Sequence, residues 1–138
     1  ALDHPEAVAG VVMLAPALDP AQERAVWLGR LGTWVPFRWL LSGAMRTSAY
    51  EKATHVEELT KLMPRWEAWE TPLAYVHGDK DMIVPYGNLA FARAHLTPTD
   101  TSTARFVTLP DENHFLHMEP IPEVISEIRR LLGTEANP

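Results

Sequence analysis

Tyr75-Val76-His77-Gly78-Asp79-Lys80-Asp81-Met82-Ile83-Val84-Pro85 decides the fold of this chain. A short apolar run, Leu73 to Val76, stops at Gly78 and opens into a loop with two carboxylates. A second apolar stretch, Arg105 to Leu109, runs into Pro110-Asp111-Glu112-Asn113-His114-Phe115. One helix-length segment separates the two strands. An acid and a histidine therefore each follow a strand, which is two thirds of a nucleophile–histidine–acid relay.

The alternation extends outward from that pair. Gly87 to Leu96 and Pro122 to Leu132 read as helices. In the second, Val124, Ile125, Ile128, Leu131 and Leu132 recur at helical spacing, with Glu123, Glu127 and Arg130 opposite. Gly10 to Ala15 is apolar throughout rather than alternating, as expected of a strand buried on both faces of a parallel sheet. Strand–helix alternation of this kind predicts a parallel α/β sheet with right-handed crossovers.

Elsewhere the signals are those of helices. Ala1 to Ala7 reads as the tail of a helix. Asp19-Pro20, with Gln22 three residues after the cap, reads as a helix start. Gly29, Gly32, Pro36 and Gly43 break up the aromatic segment Trp27 to Tyr50, predicting short helices there. Ser48-x-x-Glu51 and Thr54-x-x-Glu57 both spell capping boxes, the second leading a helix that ends near Pro64. Gly133 to Pro138 reads as a disordered tail.

Composition narrows the function classes. With 138 residues and 46% hydrophobic content, one domain with a real core is feasible. A net charge of −6 leaves no electrostatic footprint for nucleic acid. Charges of both signs are interspersed, which argues against an anionic membrane surface. The chain contains no cysteine, so disulfide and thiolate chemistry are excluded. The longest apolar stretch, Ala7 to Leu18, is too short to span a bilayer and lacks a charged leader. The expectation is a soluble, cytoplasmic protein.

In open α/β sheets, ligands bind beyond the carboxyl ends of the strands. Asp81 follows His77 by four residues and His114 follows Leu109 by five, so both belong to that rim. Neighbouring strands are only about 5 Å apart. A carboxylate there can fix the tautomer of an imidazole and stabilise it when the other nitrogen takes a proton.

His77 to Pro85, followed by Asn113-His114-Phe115-Leu116-His117-Met118-Glu119-Pro120, resembles the carboxyl-terminal half of α/β-hydrolase fold enzymes. In that family a G-x-x-D-x-x-V-P loop after the seventh strand supplies the triad acid. The loop after the eighth supplies the histidine, within G-H-F or N-H-F. The resemblance implies that Asp81 is the acid, Asp79 a loop residue and His114 the base. It implies a partial α/β-hydrolase fold of about three parallel strands, six to eight in the family's order, flanked by helices. Residues 1–16 then correspond to the end of the nucleophile helix plus strand six, and 17–64 to a helical lid. Residues 65–132 correspond to the carboxyl-terminal core, and 133–138 to a tail.

The family's G-x-S-x-G elbow appears nowhere in these residues. Ser42-Gly43 comes nearest, in lid-like sequence that follows no strand. The oxyanion-hole donors belong to the same absent half. The chain therefore reads as a fragment of a serine hydrolase acting on carboxylic esters, inactive without its nucleophile. Lyases, C–C bond hydrolases and dehalogenases with an aspartate nucleophile share this half and stay open.

Plainer roles stand beside these. Asp81 could be a turn residue and His114 a surface histidine. His114, His117 and Glu119 make a loose metal pattern without a third well-placed ligand, so neither metal nor cofactor is expected. His117 reads as a packing residue, His77 as a satisfied buried histidine, and Trp66 and Trp69 as core. Trp34 and Trp39, with Ile83 and Phe115, could line a pocket for a small apolar or aromatic ester; ordinary packing of a helical cap explains Trp27, Trp34, Phe37 and Trp39 equally well. A rival reading makes the chain a non-catalytic, self-associating domain. The strand Val11 to Leu14 would then lack its family neighbour and recruit either the amino-terminal half of the fold or a second copy.

Overall fold

Leu73-Ala74-Tyr75-Val76-His77-Gly78 forms the central strand of a three-stranded sheet in a computed structural model of the chain. The structure describes residues 1–23, 43–96, 98, 100–118 and 121–134, without the side chains of 43–53 and 101. The chain divides into two units, Ala1–Leu18 with Pro64–Pro138, and Asp19–Met63.

In the first unit the strands are β1 (Val11–Leu14), β2 (Leu73–Gly78) and β3 (Ala104–Leu109). They lie in the order β1-β2-β3, with both neighbouring pairs parallel. Val11 sits opposite Leu73, and Gly78 opposite Leu109. The helices that pack on the sheet are α2 (Gly87–His95), on β2, and α3 (Pro122–Leu131), on β1 and β2. This is the parallel α/β sheet that the strand–helix alternation predicts, consistent with the partial α/β-hydrolase fold that the resemblance implies. The carboxyl ends of the three strands share one rim, because parallel pairing gives them no alternative.

Burial follows position in the sheet. Every residue of β2 is buried, so both faces of the central strand are covered. A core cluster of Ala15, Val76, Leu109, Leu116 and Val124 joins β2, the end of β3, the following loop and α3. Trp66 and Trp69 belong to the core, as their positions before β2 suggest. The four residues of β1, expected to be buried on both faces, are each only half-buried. β1 is an edge among the described residues, so it has one strand neighbour where β2 has two.

α3 corrects the apolar-face assignment. Val124 and Glu127 are its buried residues, whereas Ile128 and Leu132 are exposed. The Glu127 carboxylate meets Arg105 Nε at 3.2 Å and Arg130 Nε at 2.8 Å. Arg130 Nη2 also donates to the Leu73 carbonyl at 3.2 Å. A buried carboxylate is tolerable when paired and hydrogen-bonded in this way. Periodicity of apolar residues alone gives no weight to such a pair.

The amino-terminal residues form only a 3₁₀ turn, Pro5–Ala7, and Asp19 caps a second one, Pro20–Gln22. Its Oδ1 accepts from the Ala21 N–H at 2.9 Å. In place of short helices and a fresh start near Thr54, one helix, α1, runs unbroken from Gly43 to Trp66. No glycine or proline interrupts Ala44 to Met63. Capping residues favour helix ends without ending a helix themselves. Pro64 has no N–H to offer the preceding turn, and α1 stops two residues later. The segment from Trp27 to Leu41, including Trp34, Phe37 and Trp39, lies outside the described residues, as does most of the tail expected at 133–138.

Leu73 starts β2 with no exposed surface. Leu73→Ala should cost roughly 2–5 kcal/mol of stability, read as a lowered urea midpoint with unchanged slope. A loss below about 0.5 kcal/mol, the range of surface substitutions, would contradict the placement of this strand at the centre.

Candidate active site

Gly78 is where the end of β2 and the loop after β3 meet. A Cβ there would stand 2.3 Å from the Glu112 carbonyl oxygen, closer than any side chain permits. Glycine lets the two backbones touch. Three hydrogen bonds then join the loops. The Asp79 N–H donates to Leu109 O at 3.1 Å, and the Lys80 N–H to Glu112 O at 3.0 Å. In return the Asp111 N–H donates to Asp79 Oδ1 at 2.8 Å. Asp111 adopts the left-handed conformation, φ 64°, which aspartate tolerates better than most residues. Its carboxylate pairs with Lys80.

That frame brings Asp81 and His114 together. Asp81 Oδ1 accepts from the N–H groups of Ile83 and Val84, both at 2.8 Å. Asp81 Oδ2 faces His114 Nδ1 at 2.9 Å, and the carboxylate has no exposed surface. An ionised carboxylate only accepts, so Nδ1 carries a proton, and in the neutral ring the lone pair is then on Nε2. His114 Nε2 makes no hydrogen bond to the described residues, and its side chain is 27% exposed. Burial pushes the Asp81 carboxyl upward. The hydrogen bond from His114 and those from Val84 and Ile83 outweigh it and hold the group below its ordinary 3.8.

The histidine loop is anchored on either side of its functional residue. Asn113 Oδ1 accepts from the Phe115 N–H at 2.8 Å, and the His114 carbonyl accepts from the Leu116 N–H at 3.0 Å. Leu116 is buried in the core cluster. Phe115 stands edge-on to His114, ring centres 5.5 Å apart.

A second histidine lies behind the acid. His77 is fully buried, with Nε2 3.3 Å from the Val84 carbonyl and 3.3 Å from Asp81 Oδ2. Its Nδ1 is 3.2 Å from the Tyr75 hydroxyl, which also donates to Pro16 O at 3.0 Å. Burial lowers the pKa of His77, and its acceptors at Val84 and Asp81 offset this only in part.

Of the six residues singled out from the sequence, the structure joins Asp81 and His114. Ile83 and Phe115 flank them, each about half exposed. Trp34 and Trp39 lie outside the described residues. Asp79 does more than occupy a loop, since it holds the histidine loop in register. The spacing to Val84-Pro85 separates it from Asp81, but nothing in the sequence marks this second role. His77 is buried as expected, and its contact with the acid becomes visible only in three dimensions. His117, expected to pack, is exposed because its loop turns outward after Leu116. Among the described residues no three His, Asp or Glu side chains converge as a metal site would require.

Gly78→Ala should push the histidine loop away and destabilise the protein by several kcal/mol, about the 1–3 typical of overpacking or more. A heat-unfolding midpoint within 1 °C of the parent, about the resolution of such a scan, would contradict the close approach. Acidification should weaken the fold in two stages. His77 has its folded value below 6.5, so under pH 6.5 the unfolded state gains a proton that the folded state resists. The depressed Asp81 contributes stability fully present above 3.8 and lost as pH falls through its lower folded value. Melting temperatures across pH should show both declines. His77→Gln should flatten the upper one and Asp81→Asn the lower.

Comparison with known proteins bears on the family of the chain. The family model described as the prolyl oligopeptidase family matches residues 12–130, which include β2, β3, both loops and all of β1 except Val11. No curated protein and no solved structure gives a match. With so much of its length matched, the chain belongs to the prolyl oligopeptidase family, within the α/β-hydrolase superfamily.

Proposed function

We propose that this chain supplies the acid and the base of a Ser-His-Asp triad, Asp81 and His114, in a serine hydrolase acting on acyl substrates. The observation that carries the reading is the 2.9 Å contact between His114 Nδ1 and Asp81 Oδ2, with Oδ1 tied to two backbone N–H groups. That arrangement leaves Nε2 as the proton acceptor. The nucleophilic serine attacks the substrate carbonyl while Nε2 takes its proton, and Asp81 stabilises the resulting imidazolium. Nε2 then returns the proton to the leaving group. No G-x-S-x-G stands in these 138 residues, so the serine and the oxyanion donors come from outside them.

The substrate reading is a carboxylic ester with a small apolar or aromatic acyl group. Ile83 and Phe115, half-exposed apolar residues beside the acid and the base, support it. The family's description adds peptide bonds as a second substrate class for the same acyl-transfer chemistry.

The test is hydrolysis of short-chain nitrophenyl esters and peptide anilides by these residues joined to a G-x-S-x-G-bearing segment of the same fold. His114→Ala should lower kcat/KM by about 10⁴-fold or more, and Asp81→Asn by about 10⁴-fold. The 138 residues alone should give no turnover above their His114→Ala variant. Turnover by them alone that depends on His114 would overturn the external placement of the serine.

A second reading is that the chain associates through β1, with a copy of itself or with the amino-terminal half of the fold. The favouring observation is the strand order, in which β1 pairs on one side only among the described residues. Sedimentation at micromolar concentration tests it: a monodisperse monomer removes this reading.

A further inference from the structure

We propose that His77 is a positioning residue for the acid, an N–H donor that holds the Asp81 carboxylate and its loop in line with His114. The inference rests on the acid–base reading of Asp81 and His114 given above. Among the described residues His77 Nε2 has its hydrogen-bond partner in the Val84 carbonyl at 3.3 Å, and Asp81 Oδ2 lies at ion-pair distance, also 3.3 Å. A bare Nε2 would set three lone-pair atoms against one another in a buried site, so Nε2 carries a proton. Carrying it, the ring works by two routes. Directly, the N–H attracts Oδ2, the oxygen that serves His114. Indirectly, it holds the Val84 peptide, whose own N–H grips Oδ1 at 2.8 Å. The carboxylate is thus fixed from Oδ1 by two backbone donors and from Oδ2 by the His114 hydrogen bond, with the His77 N–H close by on the other side.

The far side of the ring is tethered as well. Tyr75 presents its hydroxyl to His77 Nδ1 and to the Pro16 carbonyl, tying the ring to the residues that follow β1. The single hydroxyl proton goes either to the Pro16 carbonyl or to Nδ1, so the ring's tautomer follows from the acceptors at Nε2 and not from this contact. Burial favours the neutral ring. A histidine that only filled space would have no need for a donor at Nε2.

The experiment uses the 138-residue chain, ¹⁵N-labelled in histidine. Long-range ¹H–¹⁵N spectra near neutral pH should show His77 neutral with its proton on Nε2. A proton on Nδ1 with a bare Nε2 overturns the proposal, whatever the variants do. His77→Leu fills the site without a donor, whereas the amide nitrogen of His77→Gln reaches the place of Nε2. Solvent exchange of the His114 Nδ1 proton should speed up about tenfold in His77→Leu, as one lost hydrogen bond implies. In His77→Gln it should stay close to the parent. Unchanged exchange in a folded His77→Leu overturns the proposal, and so does a His77→Gln no better than His77→Leu. If His77→Leu fails to fold, the ring tautomer in the unsubstituted chain decides. None of these readouts needs turnover, so a failure of the hydrolase reading appears in the ester and peptide assays and a failure of this one appears here.

Discussion

Everything at the carboxyl rim depends on one contact between backbones, Gly78 against Glu112. Two parallel strands end side by side, and their loops would normally diverge to make room for side chains. Here the absence of a Cβ allows peptide groups to touch, and donors on each loop find acceptors on the other. The acid loop and the histidine loop therefore behave as one object. The 2.9 Å contact between His114 and Asp81 is a product of that union. Flexible loops reaching toward each other would have to offset the entropy of ordering both.

Division of labour within a single carboxylate follows. Oδ1 of Asp81 spends its lone pairs on its own loop, closing the turn through Ile83 and Val84. Oδ2 looks outward to the imidazole. Burial of the whole group would disfavour its charge, and the hydrogen bonds more than compensate. The group thereby stays ionised at neutral pH, the state in which it can hold a protonated histidine.

Much of this was legible in the residues themselves. The apolar runs at 73–76 and 105–109 marked strands because both faces of a parallel sheet are covered, and the loops after them could leave only at one rim. That logic reached Asp81 and His114 without coordinates. It failed wherever the outcome depended on what lies across the packing interface. Glu127 looked solvent-facing because an apolar tally cannot see two arginines waiting for it. β1 looked fully buried because a continuous apolar run does not say how many neighbours a strand has. Capping boxes inside α1 looked like helix starts because the same residues suit either place. Asp79 and His77 were visible as residues and invisible as partners, since each acts on an atom in another segment.

The Glu127 cluster has a meaning beyond packing. It binds α3 to Arg105 near the start of β3 and to the Leu73 carbonyl at the start of β2. This lies at the end of the strands away from Gly78 and Leu109. The sheet is thus pinned by charge at its amino edge and by peptide contacts at its carboxyl edge. Inheritance can then retouch the ionic clamp, for heat or salt tolerance, with little disturbance at the opposite edge, leaving robustness and chemistry free to evolve on separate schedules.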